Sequence, residues 1–206
     1  MDEVLNNAKW LGHDGFLFSA AGKTVVVDPF KVENGQIADV ILVTHEHFDH
    51  CSPDDIAKFS GKDTVIVTDA DSAKKLSGNV KVVAPGDTVT ANGVKVTAVP
   101  AYNTDKLFHP KDKGWLGFVF TLSGVSIYHA GDTDLIPEMA DINADIALLP
   151  VSGTYVMTAE EAVQAAKRIK PRVAVPMHYG SIVGDEKDAE TFKQALEGEM
   201  RVKVFK

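Results

Sequence analysis

Thr44-His45-Glu46-His47-Phe48-Asp49-His50 sets three imidazoles and the Asp49 carboxylate within six residues, directly after the apolar run Val40-Ile41-Leu42-Val43. That run is short, β-branched and uninterrupted, the pattern of a strand buried on both faces. A helix start follows at Ser52-Pro53-Asp54-Asp55, with a capping residue, a proline at the first helical position and acidic residues in the first turn. The histidines therefore fall on a strand-to-helix loop, where sites are commonly built. His45 and His47 are two residues apart, which in an extended segment points both rings the same way. Asp49 and His50 lie beyond the bend and can face a second ion. Neutral imidazole with carboxylate is the usual donor set for zinc and neighbouring first-row metals, so the loop reads as a metal-binding element and not as a histidine-rich surface turn.

The 206 residues suit one domain, 1–206, with a sizeable core, and 45% hydrophobic with 24% charged residues is ordinary for a globular protein. The N-terminus lacks the basic and apolar regions of a signal peptide, and no apolar run approaches the ~20 residues of a membrane span. No membrane partner is expected and a cytoplasmic location is the default. A formal charge of -8 and a pI near 5.3 argue against nucleic acid as a partner. Cys51 is the only cysteine, which excludes an intrachain disulfide and fits a reducing compartment. It is expected to pack under the helix that begins at Pro53.

Strands are expected over 16–18, 24–28, 40–44, 64–68, 80–83, 94–99, 116–122 and 125–129, between Gly, Pro, Asn or Asp breaks. Asn92-Gly93 and Ser123-Gly124 read as tight turns between antiparallel neighbours. Helices are expected over 53–59, 69–76, 158–169 and 187–196. Thr158-Ala159-Glu160-Glu161 forms a capping box, and Ala162, Val163, Ala166 and Ile169 share one apolar face. A strand over 172–175 ends at Pro176-Met177-His178, and 202–205 reads as a last edge strand. Two groups of strands with helices outside give a layered α/β (α+β) fold.

Three further segments carry chemistry. Val27-Asp28-Pro29-Phe30 closes a strand, and Asp28 reads either as a carboxylate orienting a ligating histidine or as an Asx turn before Pro29. His129-Ala130-Gly131-Asp132-Thr133-Asp134 and Pro176-Met177-His178-Tyr179-Gly180 each follow a strand. With His-x-His-x-Asp-His and Leu11-Gly12-His13-Asp14-Gly15-Phe16, these motifs resemble the metallo-β-lactamase fold hydrolases over nearly the whole chain. The branch most similar is that of the small, stand-alone ascorbate-6-phosphate lactonase-like enzymes.

The resemblance implies a four-layer αββα sandwich and two divalent metal ions, zinc or manganese, with no organic cofactor. It implies that His45, His47 and a third group hold one ion, that Asp49, His50 and His178 hold the other, and that Asp132 bridges them. It implies hydrolysis of a small ester, lactone or phosphoester by a water that the ions activate and Asp49 orients, with His109, Tyr179 or a water protonating the leaving group. The third group departs from the family pattern, because this chain reads Pro100-Ala101-Tyr102-Asn103 where relatives carry Ala-x-His. Asn103 can offer its carbonyl oxygen, and His109, six residues on, can fold back in its place. His109 is expected to face the site, as ligand or as proton donor. A site truly altered at Asn103 would instead suit a mononuclear iron oxidoreductase resembling the sulfur dioxygenases.

Other residues carry weaker signals. His13 and His129 are read as surface or satisfied core histidines in preference to pocket residues. Trp115 reads equally as pocket wall or core. Lys106, Lys111 and Lys113 form the densest basic segment, a contact for an anionic or phosphorylated small-molecule substrate, although a solvated loop is the simpler reading. A homo-oligomer is compatible with the resemblance.

Overall fold

A computed structural model describes residues 1–206. The first sheet takes, in chain order, β1 (Lys9–Gly12), β2 (Gly15–Ala20), β3 (Lys23–Val27), β4 (Val40–Val43), β5 (Val65–Thr68) and β6 (Asn79–Val82). The second takes β7 (Thr88–Ala91), β8 (Val94–Pro100), β9 (Leu116–Leu122), β10 (Val125–His129), β11 (Ile146–Pro150), β12 (Val173–Met177) and β13 (Arg201–Val202). Each sheet starts antiparallel and becomes parallel, from β3 to β6 and from β10 to β13. Parallel neighbours need crossovers. These supply α2 (Pro53–Phe59), α3 (Ala70–Ala73), α4 (Ala159–Ile169) and α5 (Glu186–Ala195), while α1 (Asp2–Asn6) precedes β1.

The side-chain period of a strand splits one apolar run between two layers. Val40 and Leu42 of β4 face the inter-sheet core with Phe16, Phe18, Phe118, Phe120 and Ile127. Ile41 and Val43 turn the other way, against Ile56 and Phe59 of α2, and Cys51 packs in this second cluster as its position before the helix implies. Ala162, Ala166 and Ile169 of α4 and Phe192 of α5 cover the second sheet. The four-layer αββα sandwich is thus built on two apolar clusters, the larger of which fills both the space between the sheets and the face under α4 and α5. Each fully buried core phenylalanine contributes roughly 1.5–3 kcal/mol. Phe18 and Phe120 meet across the sheets edge to face at 5.6 Å.

Local signals translate directly. Ser52 caps α2, and the Thr158–Glu161 box closes the start of α4 reciprocally. Asn92 and Gly93 both take positive φ, 45° and 83°, as a tight β7–β8 hairpin demands. Several expectations change, and β1 and β7 join the strands not expected from the sequence. The helix expected over 69–76 is only the single turn Ala70–Ala73: Asp69 caps its start, and Lys74, Lys75 and Leu76 then bond three residues back, to Asp71, Ser72 and Ala73, as tight turns that lead to β6. The edge strand expected over 202–205 shrinks to Arg201–Val202. β11, absent from the sequence reading, is a central strand of five buried residues whose apolar run has no alternation to distinguish it from a helix segment. No helix is long and apolar enough to cross a membrane.

The ends of β3, β4, β10 and β12 meet the β1–β2 turn and the loop after β8, much as ligands gather outside the carboxyl ends of strands in open α/β sheets. The two sheets touch here, Leu116 N donating to Thr44 O at 3.0 Å. Gly131 sits in this contact with φ +64°, and a Cβ there would lie 2.6 Å from Leu116 O and 3.2 Å from Thr44 Cγ2. Gly131→Ala is therefore expected to add a backbone clash to a left-handed strain of about 1–3 kcal/mol. Gly124→Ala, with φ +72° and nothing within 4 Å, adds strain alone. Denaturant unfolding should find Gly131→Ala the more destabilised of the two.

Candidate metal centre

Asp132, after β10, is the hub. Its Oδ2 lies 3.2 Å from His109 Nε2, 3.3 Å from His178 Nε2 and 4.0 Å from His45 Nε2, and its Oδ1 lies 3.4 Å from His50 Nε2. His47 turns its Nδ1 to within 3.0 Å of His45 Nε2. Asp49 Oδ2 lies 3.8 Å from His50 Nε2 and 3.2 Å from His13 Nε2. Among the four donor groups, His45, His47 and His109 form one and His13, His50 and His178 another; His45, His50 and Asp132 form a third that joins them, and Asp14, Asp28 and His50 a fourth. Metal bonds of 2.0–2.2 Å put neighbouring tetrahedral donors about 3.3–3.5 Å apart, close to these spacings.

A hydrogen-bonding account of the cluster fails. His50 Nε2, His109 Nε2 and Asp132 Oδ1 are buried without an aligned partner, and each unsatisfied buried polar atom costs roughly 1–3 kcal/mol. Atoms that share a cation need no hydrogen-bond partner among themselves, which accounts for these three, while His45 Nε2 and His47 Nδ1 face each other at 3.0 Å. The residues present therefore fit divalent metal.

Four of the rings are gripped from behind. His50 Nδ1 donates to Asp28 Oδ2 at 2.9 Å, and Asp28 also accepts from Thr44 N and Thr44 Oγ1. Since the Thr44 hydroxyl gives its hydrogen to Asp28, it accepts from His45 Nδ1 at 3.0 Å. His109 Nδ1 faces two acceptors, Asn103 Oδ1 at 3.1 Å and Tyr155 O at 3.2 Å. Ser152 Oγ donates to Thr154 O and so accepts from His178 Nδ1 at 2.8 Å. In all four the proton sits on Nδ1, leaving the Nε2 lone pair for a cation, the arrangement usual behind metal-ligating histidines. Trp115 walls the site, its ring 4.9 Å from His45 and 4.7 Å from His47.

Charge reinforces the geometry. Burial would raise the Asp132 carboxyl, but His178 and His50 beside it outweigh burial and hold it well below the usual carboxylate range. Burial likewise opposes charge on His50, yet Asp132 and Asp28 push its imidazole well above the usual value. His45 is driven well below by burial and then by His50. Burial and then Asp132 raise Asp14, whose carboxyl oxygens lack partners.

His45, His47, Asp49, His50, His109, Asp132 and His178 all converge, as the sequence suggests. Asp28 orients a histidine and is not a free Asx turn. Asn103 Oδ1 is taken up by His109 N and faces its Nδ1, and it is the His109 ring that stands with His45 and His47. His129, with Nε2 donating to Asp14 O at 2.8 Å and Nδ1 accepting from Gly131 N at 3.2 Å, is the satisfied core histidine expected. His13 is the correction: it is buried in the cluster with neither ring nitrogen satisfied. Lys111 and Lys113 are solvent-exposed, as the simpler reading expects, although each is paired, Lys111 with Glu138 at 3.0 Å and Lys113 with Glu46 at 3.4 Å, while the partly buried Lys106 pairs with Asp134 at 2.7 Å. The sequence reading missed Asp14, Ser152 and Tyr155, whose only signal is the Gly- and Ser-rich loop chemistry around them.

Two stacked sheets between helices, with a histidine and aspartate cluster at the strand ends, define a metallo-β-lactamase fold with a metal-binding centre. The beta-lactamase superfamily domain family matches residues 7–178. The chain belongs to that family. It is 39% identical over 210 residues to a UPF0173 metal-dependent hydrolase of Methanoculleus marisnigri, covering 95% of this chain and 90% of the relative. A Parabacteroides distasonis protein of known structure superposes with a TM-score of 0.85 at 37% identity, covering 95% of this chain and 90% of that one. The metallo hydrolase Igni18 of Ignicoccus hospitalis superposes at 0.77 with 26% identity, covering 97% and 94%.

The raised His50 value has a consequence for metal uptake. The metal-free protein still holds a proton on His50 above 6.5, the ordinary imidazole value, and a cation at Nε2 must displace it. Zinc affinity measured by chelator competition is therefore expected to keep rising with pH above the ordinary imidazole value, with proton release on binding. An affinity that levels off near the ordinary imidazole value would contradict the assignment.

Proposed function

We propose that this chain is a dinuclear metal-dependent hydrolase acting on a small ester, lactone or phosphoester. The observation that carries the reading is the set of four imidazoles whose Nδ1 atoms are all held from outside while their Nε2 atoms converge around the Asp132 carboxylate. His45, His47 and His109 would hold one ion, Asp49, His50 and His178 the other, and Asp132 would bridge. When bound, such ions acidify water toward neutrality and polarise the oxygen that receives charge. Zinc and manganese suit nitrogen and carboxylate donors.

The chain's own residues do the rest. Asp49, with its side chain 14% exposed where Asp132 is 5%, is the carboxylate through which solvent meets the cluster, and it orients the attacking water and takes its proton. Trp115, buried against His45 and His47, limits the water that reaches that side of the site. His109, gripped at Nδ1, is a ligand in this reading, which leaves solvent to protonate the leaving group. The mouth is apolar: Phe48 is 68% exposed and Phe108 54% exposed, each one residue from a donor histidine. Phe48 packs edge to face on Phe30 at 5.7 Å and Phe108 on Tyr155 at 4.5 Å. Because the three nearby lysines are already paired, recognition of a phosphate would fall to the ions, and an organic ester or lactone with an apolar arm fits the rim better. A mononuclear iron oxidoreductase draws no support from the site, since His109 supplies the donor that Asn103 does not.

The test couples metal content to turnover. The chain purified without chelator is expected to carry about two zinc or manganese ions and to hydrolyse members of an ester, lactone and phosphoester panel. His50→Ala and Asp132→Ala are expected to lose metal and turnover together. Full activity with full metal occupancy in either variant, or a single iron in the wild-type chain, would overturn the reading.

A further inference from the structure

We propose that His13 is a fourth protein ligand of the second ion, so that the β1–β2 turn closes the group of Asp49, His50 and His178. This rests on the dinuclear reading above. His13 is 1% exposed, and both of its ring nitrogens are buried without an aligned hydrogen-bond partner. An ordinary core histidine satisfies at least one of them, because each orphan costs roughly 1–3 kcal/mol. Its Nε2 lies 3.2 Å from Asp49 Oδ2, yet the contact is off the line of a hydrogen bond. The same signature, a buried Nε2 close to a carboxylate oxygen but aimed elsewhere, marks His50 and His109. The His13 donor lies within 4.8 Å of those of His50 and His178.

The turn is built to hold the ring there. His13 has φ 51°, a left-handed conformation worth about 1–3 kcal/mol of strain in a non-glycine residue. Its carbonyl accepts from Trp10 Nε1 at 2.9 Å and from His178 N at 3.2 Å, which ties the turn of the first sheet to the ligand loop of the second. The ring lies against His178 with centroids 4.2 Å apart. Gly15 closes the turn against β3, where a Cβ would meet Asp28 O at 3.0 Å. Strain, burial and an Nε2 without a hydrogen-bond partner, concentrated at one residue, are explained together by a cation at Nε2. The two ions then differ in protein donors: apart from Asp132, the first has three imidazoles and the second has His13, Asp49, His50 and His178.

The experiment titrates metal-free wild type, His13→Ala and His13→Gln with zinc against a competing chelator, follows visible absorption during parallel cobalt(II) loading, and records the metal-free thermal midpoint of each. The wild type is expected to bind two ions. Both variants are expected to keep the first affinity and to lose at least about 10–100-fold in the second, with only the second cobalt spectrum altered. His13→Gln keeps the side-chain volume and answers the question if His13→Ala does not fold. Unchanged second affinity and unchanged cobalt spectra, with or without a lower midpoint, would overturn the assignment of His13 alone. A wild-type chain that binds one ion would instead overturn the dinuclear reading on which it stands.

Discussion

The Asp132 carboxylate, 5% exposed and ringed by imidazole nitrogens at 3.2–4.0 Å, is the constraint around which the site is arranged. A buried carboxylate is tolerable only with compensating charge or hydrogen bonds. In the metal-free chain His50 and His178 provide part of that compensation, and the orphaned Oδ1 marks the remainder. Placing that carboxylate requires Gly131, whose left-handed backbone threads between Leu116 O and Thr44. The contact that closes the two sheets and the contact that positions the chemistry are therefore the same piece of backbone.

Around this centre the protein spends hydrogen bonds on orientation. Asp28, Thr44, Asn103, Ser152 and the Tyr155 carbonyl each fix one imidazole tautomer without reaching the centre themselves. Several of the residues involved, His13, Asp28, Tyr155 and His178, take positive φ without being glycine. Strain of this kind persists where surrounding structure over-determines it, and it gathers at functional sites. Here the hydrophobic seams on either side of the first sheet supply the over-determination, since β3 and β4 cannot shift register without turning Val40 and Leu42 away from the core.

The loop after β8 shows how a family pattern can be altered while its geometry survives. An amide replaces the usual histidine in sequence, but Asn103 turns its carbonyl oxygen toward His109 N and Nδ1 and its amino group toward Asp134 and Tyr155. Lys106 adds a further contact to Asp134. Beside these contacts the loop exposes two apolar residues, Leu107 and Phe108.

Much of this was legible in the chain. The strand, histidine loop and capped helix over residues 40–59, the Asn92-Gly93 and Ser123-Gly124 hairpins, and the Thr158–Glu161 box follow from periodicity, turn chemistry and capping, which act over a few residues and leave direct marks in sequence. Donor-bearing loops were found wherever several imidazoles or carboxylates stood together after a strand. What the sequence could not decide was partnership. Asp28 as brace or turn, Asn103 or His109 as donor, and His13 as core residue or site residue depend on which loop ends the two sheets bring together. Only the tertiary structure places His13 against His178 and Ser152 behind the ring of His178, because those contacts join segments distant in the chain and are selected by the packing of the two sheets, which no local pattern encodes.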